Sequence, residues 1–205
     1  MKLFKKVLAA ALAGVLALSV LTGCNNSAAT VTMVDALNDW SKFNGEGVTF
    51  EKGNEDLQNQ VNALVKIVDE AGKDIKFGDA KDFREIYDIV MNNPTVRQEL
   101  TEWAGQFPTA TYGSDPSNPL YEYGFADINA TLSASSSKNI YYASQLLDEL
   151  DVINRPAGDP NRWKKGDTSY VAVATGEING KKYMVALFKT SIQKDPDYNQ
   201  NQGKN

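Results

Sequence analysis

The sequence predicts an α+β fold: about five helices followed by a C-terminal antiparallel β-hairpin set in a small sheet. Three observations predict it. Between residues 31 and 107 apolar side chains recur three and four positions apart, the spacing of one helix face. Residues 169–192, SYVAVATGEINGKKYMVALFKTSI, hold two β-rich runs around Asn179-Gly180, a dipeptide that supplies the positive φ values of a type I′ hairpin. Both faces of those runs are apolar, so the hairpin needs cover on each side, and a third strand is expected from residues 48–52 or 120–128.

The first helix is expected over Val31–Phe43, with Met33, Leu37, Trp40 and Phe43 at helical spacing, ended by Asn44-Gly45-Glu46-Gly47. Val48-Thr49-Phe50 is a short strand or an extended link. The second helix has Asn54 as cap, Glu55 and Asp56 in its first turn, and one stripe of Leu57, Val61, Leu64, Val65 and Val68 before Gly72 stops it. The third opens at Asp79, with Asp82 three residues on, and buries Phe83, Ile86, Tyr87 and Val90. Asn93 caps the fourth, with Pro94 at its first position and Val96, Leu100, Trp103 and Phe107 in line. A fifth, capped by Ser137, carries Ile140, Ala143, Leu147 and Leu150 on one side. In the hairpin, Tyr170, Ala172 and Ala174 share a face opposed to Val171 and Val173, and Tyr183, Val185 and Leu187 oppose Met184, Ala186 and Phe188.

The N-terminus is of another kind. Lys2, Lys5 and Lys6 precede an uncharged run from Val7 to Leu21, too short for a transmembrane helix of about 20 residues. Leu21-Thr22-Gly23-Cys24 resembles the bacterial lipobox. That resemblance implies cleavage before Cys24, a diacylglycerol on its sulfur, and a lipid-anchored protein outside the cytoplasmic membrane of a bacterial cell. Each buried methylene adds about 0.8 kcal/mol, so two or more chains hold firmly. Residues 1–23 are then a signal peptide, 24–30 a flexible tether, 31–193 one globular α+β domain, and 194–205 a polar, disordered tail.

Composition excludes several chemistries. Loss of residues 1–23 removes three lysines and leaves 18 basic against 26 acidic residues, a net charge of −8. Nucleic acid is a poor partner for such a surface. The chain has no histidine and Cys24 is its one cysteine, so Ser-His-Asp and Cys-His nucleophiles, the usual zinc sites and disulfides are absent. No cofactor is expected.

Candidate binding residues are the aromatic side chains Tyr112, Tyr121, Tyr123 and Phe125 of the Pro/Gly-rich segment 107–136, and Trp163 in a basic loop. As a platform they would offer area at low entropy cost; the competing reading packs the same rings into the core. Asp148, Glu149 and Asp151 are either hard-oxygen calcium ligands or a solvated acidic face beside Arg155, Arg162, Lys164 or Lys165. The favoured function is a non-catalytic binding module for an envelope glycan, peptide or protein. The alternative is a carboxylate-dependent hydrolase of wall polymer, which would need two facing acids drawn from Glu102, Asp115, Glu122 and Asp127.

Residues 120–188 carry a second resemblance. Gly124-Phe125-Ala126-Asp127-Ile128-Asn129, a serine-rich link, a helix ending at Leu147-Leu150, a Pro/Asn loop and two strands resemble the second half of the CAP superfamily of cysteine-rich secretory and pathogenesis-related proteins. The resemblance implies an α–β–α sandwich, with Leu57–Val68 as the family's opening helix. The family's cleft pairs histidines with acids, and its glycine-glutamate-asparagine run is missing here, so no cleft residue carries over. What the resemblance implies is a scaffold without the family's metal site.

Overall fold

The computed structural model describes residues 26–108, 110, 119–129, 135–148, 150–154 and 163–194. The helices are α1 (Asn26–Asn44), α2 (Glu55–Gly72), α3 (Phe83–Met91), α4 (Pro94–Ala104) and α5 (Ser135–Asp148). The strands are β1 (Thr49–Lys52), β2 (Leu120–Asp127), β3 (Asp151–Val152), β4 (Trp163–Ile178) and β5 (Lys181–Lys194). They form one mixed sheet in the order β1-β4-β5-β2-β3, with β1 parallel to β4 and the other neighbours antiparallel.

The fold is α+β, but the strands are not confined to a terminal hairpin. The β4–β5 hairpin is the centre of the sheet, and its turn has the expected positive φ at Asn179 and Gly180. Both candidate third strands are used, one beside each hairpin strand, because a hairpin apolar on both faces leaves two edges to satisfy as well as two faces.

Each face is covered by helices. On one, Ala172, Ala174, Tyr183, Val185 and Leu187 meet the stripe Leu57, Val61, Leu64, Val65 and Val68 of α2, with Ile86 and Val90 of α3 and Val96 and Trp103 of α4. On the other, Val171, Val173, Met184, Ala186 and Phe188 meet Met33, Ala36 and Leu37 of α1 and Tyr142, Ala143 and Leu146 of α5. The face assignments of the hairpin hold, apart from Tyr170, which is exposed. Burial of one such aliphatic side chain is worth about 1.5–3 kcal/mol, so these two interfaces dominate the stability.

Capping side chains set most helix starts. Asn54 Oδ1 accepts from Leu57 N, and Asn93 Oδ1 accepts from Thr95 N and Val96 N with Pro94 following. The third helix starts later than expected: Asp82, not Asp79, caps it by accepting from Glu85 N, while Glu85 Oε2 accepts from Lys81 N. The buried face of α5 is Tyr142, Ala143 and Leu146, with Ile140 and Leu147 only half-buried. Gly72 ends α2 without a left-handed turn. A Cβ there would fall 2.5 Å from Ile178 Cδ1, so this glycine is small for packing.

Helix α1 also departs from expectation. It begins at Asn26, inside the stretch 24–30 read as a flexible tether, and Ala29 and Thr30 are buried. The cause is a polar anchor: Thr30 Oγ1 accepts from Val173 N at 3.0 Å and donates to Gln58 Oε1 at 3.1 Å. Phe43, expected on the apolar stripe, is 82 % exposed. Asn38 ties α1 to the edge strand by donating to Phe50 O and accepting from Phe50 N, both at 2.8 Å, which occupies backbone groups an edge would otherwise offer to another chain.

One half-buried carboxylate, Asp69, carries a desolvation cost. Asp69 on α2 accepts from Tyr183 Oη at 2.6 Å, and its pKa is raised above the ordinary 3.8, chiefly by desolvation. The folded state therefore holds this proton more tightly than the unfolded chain. The penalty is absent below the unfolded value and grows as pH rises through the folded one. The melting-temperature difference between Asp69→Asn and wild type is expected to move in the variant's favour from about pH 3 to about pH 7. Movement the other way, in thermal melts across that range, would contradict the burial argument.

Candidate functional site

Strand β2 alternates. Leu120, Glu122, Gly124 and Ala126 are buried on the α1/α5 side, and Tyr121, Tyr123 and Phe125 are half-buried towards α3 and α4. The rings form a connected aromatic layer. Tyr121 meets Phe107 at 4.6 Å between centroids, Tyr123 meets Trp103 at 6.0 Å, and Phe125 meets Tyr87 at 5.0 Å. Tyr123 and Tyr183 are pushed above the usual phenol range, first by burial and then by Asp151 and Asp69 respectively. Tyr121 and Tyr123 thus sit in packing between sheet and helices, not on a free platform.

At the far end of β2 this layer opens into a cleft of about 340 Å³. Its walls come from three elements. The start of α3 supplies Asp82, Phe83 and Tyr87, with Arg84 at the same wall. The end of β2 supplies Phe125 and Asp127. The outer side of α5 supplies Tyr141, Gln145 and Asp148. The cleft lies where β3 leaves β2 uncovered, since β3 pairs only with Glu122 and Tyr123. Two hydrogen bonds hold its floor: Asp127 N donates to Gln145 Oε1 at 3.0 Å, and Asn129 N donates to Asp127 Oδ1 at 2.8 Å. Tyr141 is 44 % exposed, on a helix that buries its other face. Concave, aromatic and dotted with a few polar groups, this is the form of a small-ligand site.

A second, smaller cavity of about 150 Å³ lies on the α1/α5 side, walled by Val48, Phe50, Leu147, Leu150 and Phe188. At its floor Lys165 Nζ approaches Glu122 Oε2 at 2.6 Å and Oε1 at 2.8 Å. The Glu122 side chain is 6 % exposed against 41 % for Lys165, so the lysine neutralises a carboxylate taken almost wholly out of water. Ser169 and Thr190 share a hydrogen bond beside it at 2.8 Å. The pair reads as a satisfied core charge.

Of the sequence-derived candidates, the cleft gathers only Phe125 and, from the acids, Asp127 and Asp148. Glu122 and Asp127 lie five positions apart on β2, hence on opposite faces and about 17 Å apart, so they are not a facing pair. Glu102 lies on α4, accepting from Gln98 Nε2. Trp163 is the first residue of β4, paired with Lys194, rather than part of a loop. Asp151 begins β3 and accepts from the Tyr123 hydroxyl. Residues 1–23, where a signal peptide is expected, Cys24, Tyr112, Asp115, Glu149 and residues 195–205 lie outside the described residues. Among the described residues no group of three or more His, Cys, Asp or Glu side chains is placed to hold a metal ion, and no helix is long and apolar enough to cross a membrane.

Sequence reasoning missed Tyr141, Gln145 and Arg84 as wall residues. The available signal was Tyr141 itself, a tyrosine outside the apolar stripe of its helix. No family model, curated protein or solved structure matches the chain.

Proposed function

We propose that the mature protein is a lipid-tethered extracytoplasmic binding module whose ligand, an envelope glycan or peptide, occupies the cleft between α3, β2 and α5. The observation that carries this reading is the open cleft of about 340 Å³ with aromatic side chains on both walls and carboxylates among them. Rings supply contact area that costs little entropy, and the carboxylates accept hydrogen bonds from hydroxyl or amide donors. The lipobox-like Leu21-Thr22-Gly23-Cys24 supports the tether. The helix–sheet–helix layering supports a CAP-like scaffold as a proposal about architecture alone, because this cleft is built from different residue types.

Two measurements test it. Cys24→Ala is expected to abolish acyl labelling and release the protein from membranes; unchanged labelling and attachment would refute the tether. On an array of envelope glycans and peptides, Tyr141→Ala is expected to weaken binding about tenfold with little change in melting temperature, because the ring is exposed and removes surface contact rather than core. Turnover of a wall polymer, lost in Asp127→Asn, would replace the binding reading with the hydrolase one.

A further inference from the structure

We infer that the ligand of this cleft carries an organic ammonium group, held between the rings by cation–π contact and the surrounding carboxylates. The inference rests on the cleft being a binding site and adds the chemical class that it takes. Four rings line it: Phe83, Tyr87 and Phe125 on one side, Tyr141 on the other. The first three are already packed into one cluster, with centroids of Phe83 and Tyr87 at 6.0 Å and of Tyr87 and Phe125 at 5.0 Å. A cation within about 6 Å of such ring faces is attracted by their quadrupoles, more strongly where water is partly excluded. A neutral apolar ligand would use the same rings, so the charges decide between the two.

Asp82, Asp127 and Asp148, from three different elements, line the cleft with the rings, and Arg84 is the one basic side chain of the lining, a formal balance of −2. Asp148 is the last residue of α5, where the helix dipole adds negative potential. Anionic ligands are disfavoured by the same arrangement, as they are by the net charge of the mature chain. The ligand class is therefore a small alkylammonium compound.

Choline is a suitable probe, with its uncharged analogue in which carbon replaces the quaternary nitrogen as the control. By titration calorimetry at low salt, choline is expected to bind with a dissociation constant of about 1 mM, at least about tenfold tighter than the analogue. Asp148→Asn and Tyr141→Ala should each weaken it about tenfold, and added salt should weaken it further. Equal binding of choline and the analogue would overturn the ammonium inference and leave the cleft as a neutral-ligand site. Binding of an uncharged glycan that Tyr141→Ala abolishes, without any choline binding, would do the same. Failure of every probe and of the envelope array would remove the binding reading itself.

Discussion

Gly124→Ala is expected to destabilise the protein by about 3 kcal/mol, a fall in melting temperature of about 10 °C. The reason is a contact between backbones. A Cβ on Gly124 would lie 2.0 Å from Leu146 O and 2.9 Å from its carbonyl carbon. A flexible side chain could swing away; a helix carbonyl cannot move without taking the helix with it. Relief would therefore lift α5 off β2, opening the interface that Tyr142, Ala143 and Leu146 make with the sheet. The same displacement would carry away Tyr141, Gln145 and Asp148, so binding should fail with stability. Gly45→Ala is the control. It has a positive φ but nothing within 4 Å of the added carbon, so only backbone strain of about 1 kcal/mol is expected. A Gly124→Ala protein melting within about 2 °C of wild type would show that α5 is not seated on the strand as described.

Asn154→Ala is expected to cost about 3 kcal/mol and to free the Tyr121 amide for hydrogen exchange. Asn154 is 7 % exposed and serves three backbone groups at once. Its Oδ1 accepts from Tyr121 N at 2.7 Å, and its Nδ2 donates to Pro108 O at 2.6 Å and Pro119 O at 2.9 Å. Both proline carbonyls flank the stretch 109–118, and Tyr121 opens the strand beyond it. One amide thus fixes the spacing between the end of the helical region and the start of β2. Alanine would leave a donor and two acceptors without partners in a place that water reaches poorly. Unchanged protection of the Tyr121 amide in the variant, read by exchange mass spectrometry, would contradict this role.

The cleft was only partly legible from the residues. Phe125 stands out as an aromatic side chain in a Pro/Gly-rich segment, but so do Tyr121 and Tyr123, which the pleat turns towards Phe107 and Trp103. Alternation was visible in LYEYGFAD; which side of it met helices was not. In the sequence Asp82 belongs to a helix start and Asp148 to an acidic cluster. Neither observation places them near each other, since 66 positions separate them and only the packing of α3 and α5 on opposite sides of the sheet brings both to the end of β2.

Local chemistry determined what the sequence determines by itself. Asn54 and Asn93 cap helices because a side-chain oxygen reaches an amide two or three residues away. Leu57 to Val68 form a stripe because of the helical repeat, and Asn179-Gly180 turn the hairpin because of their permitted φ values. The lack of histidine removes whole classes of chemistry in any conformation. Tertiary structure decided the rest: that β1 joins β4 in parallel, that the hairpin lies mid-sheet, that Thr30 near the start of α1 is anchored to Val173, and that rings and carboxylates converge in a cleft. Each of these depends on partners far apart in the chain. Their free energy comes from burial and pairing that exist only once the layers have met, so no local pattern records it.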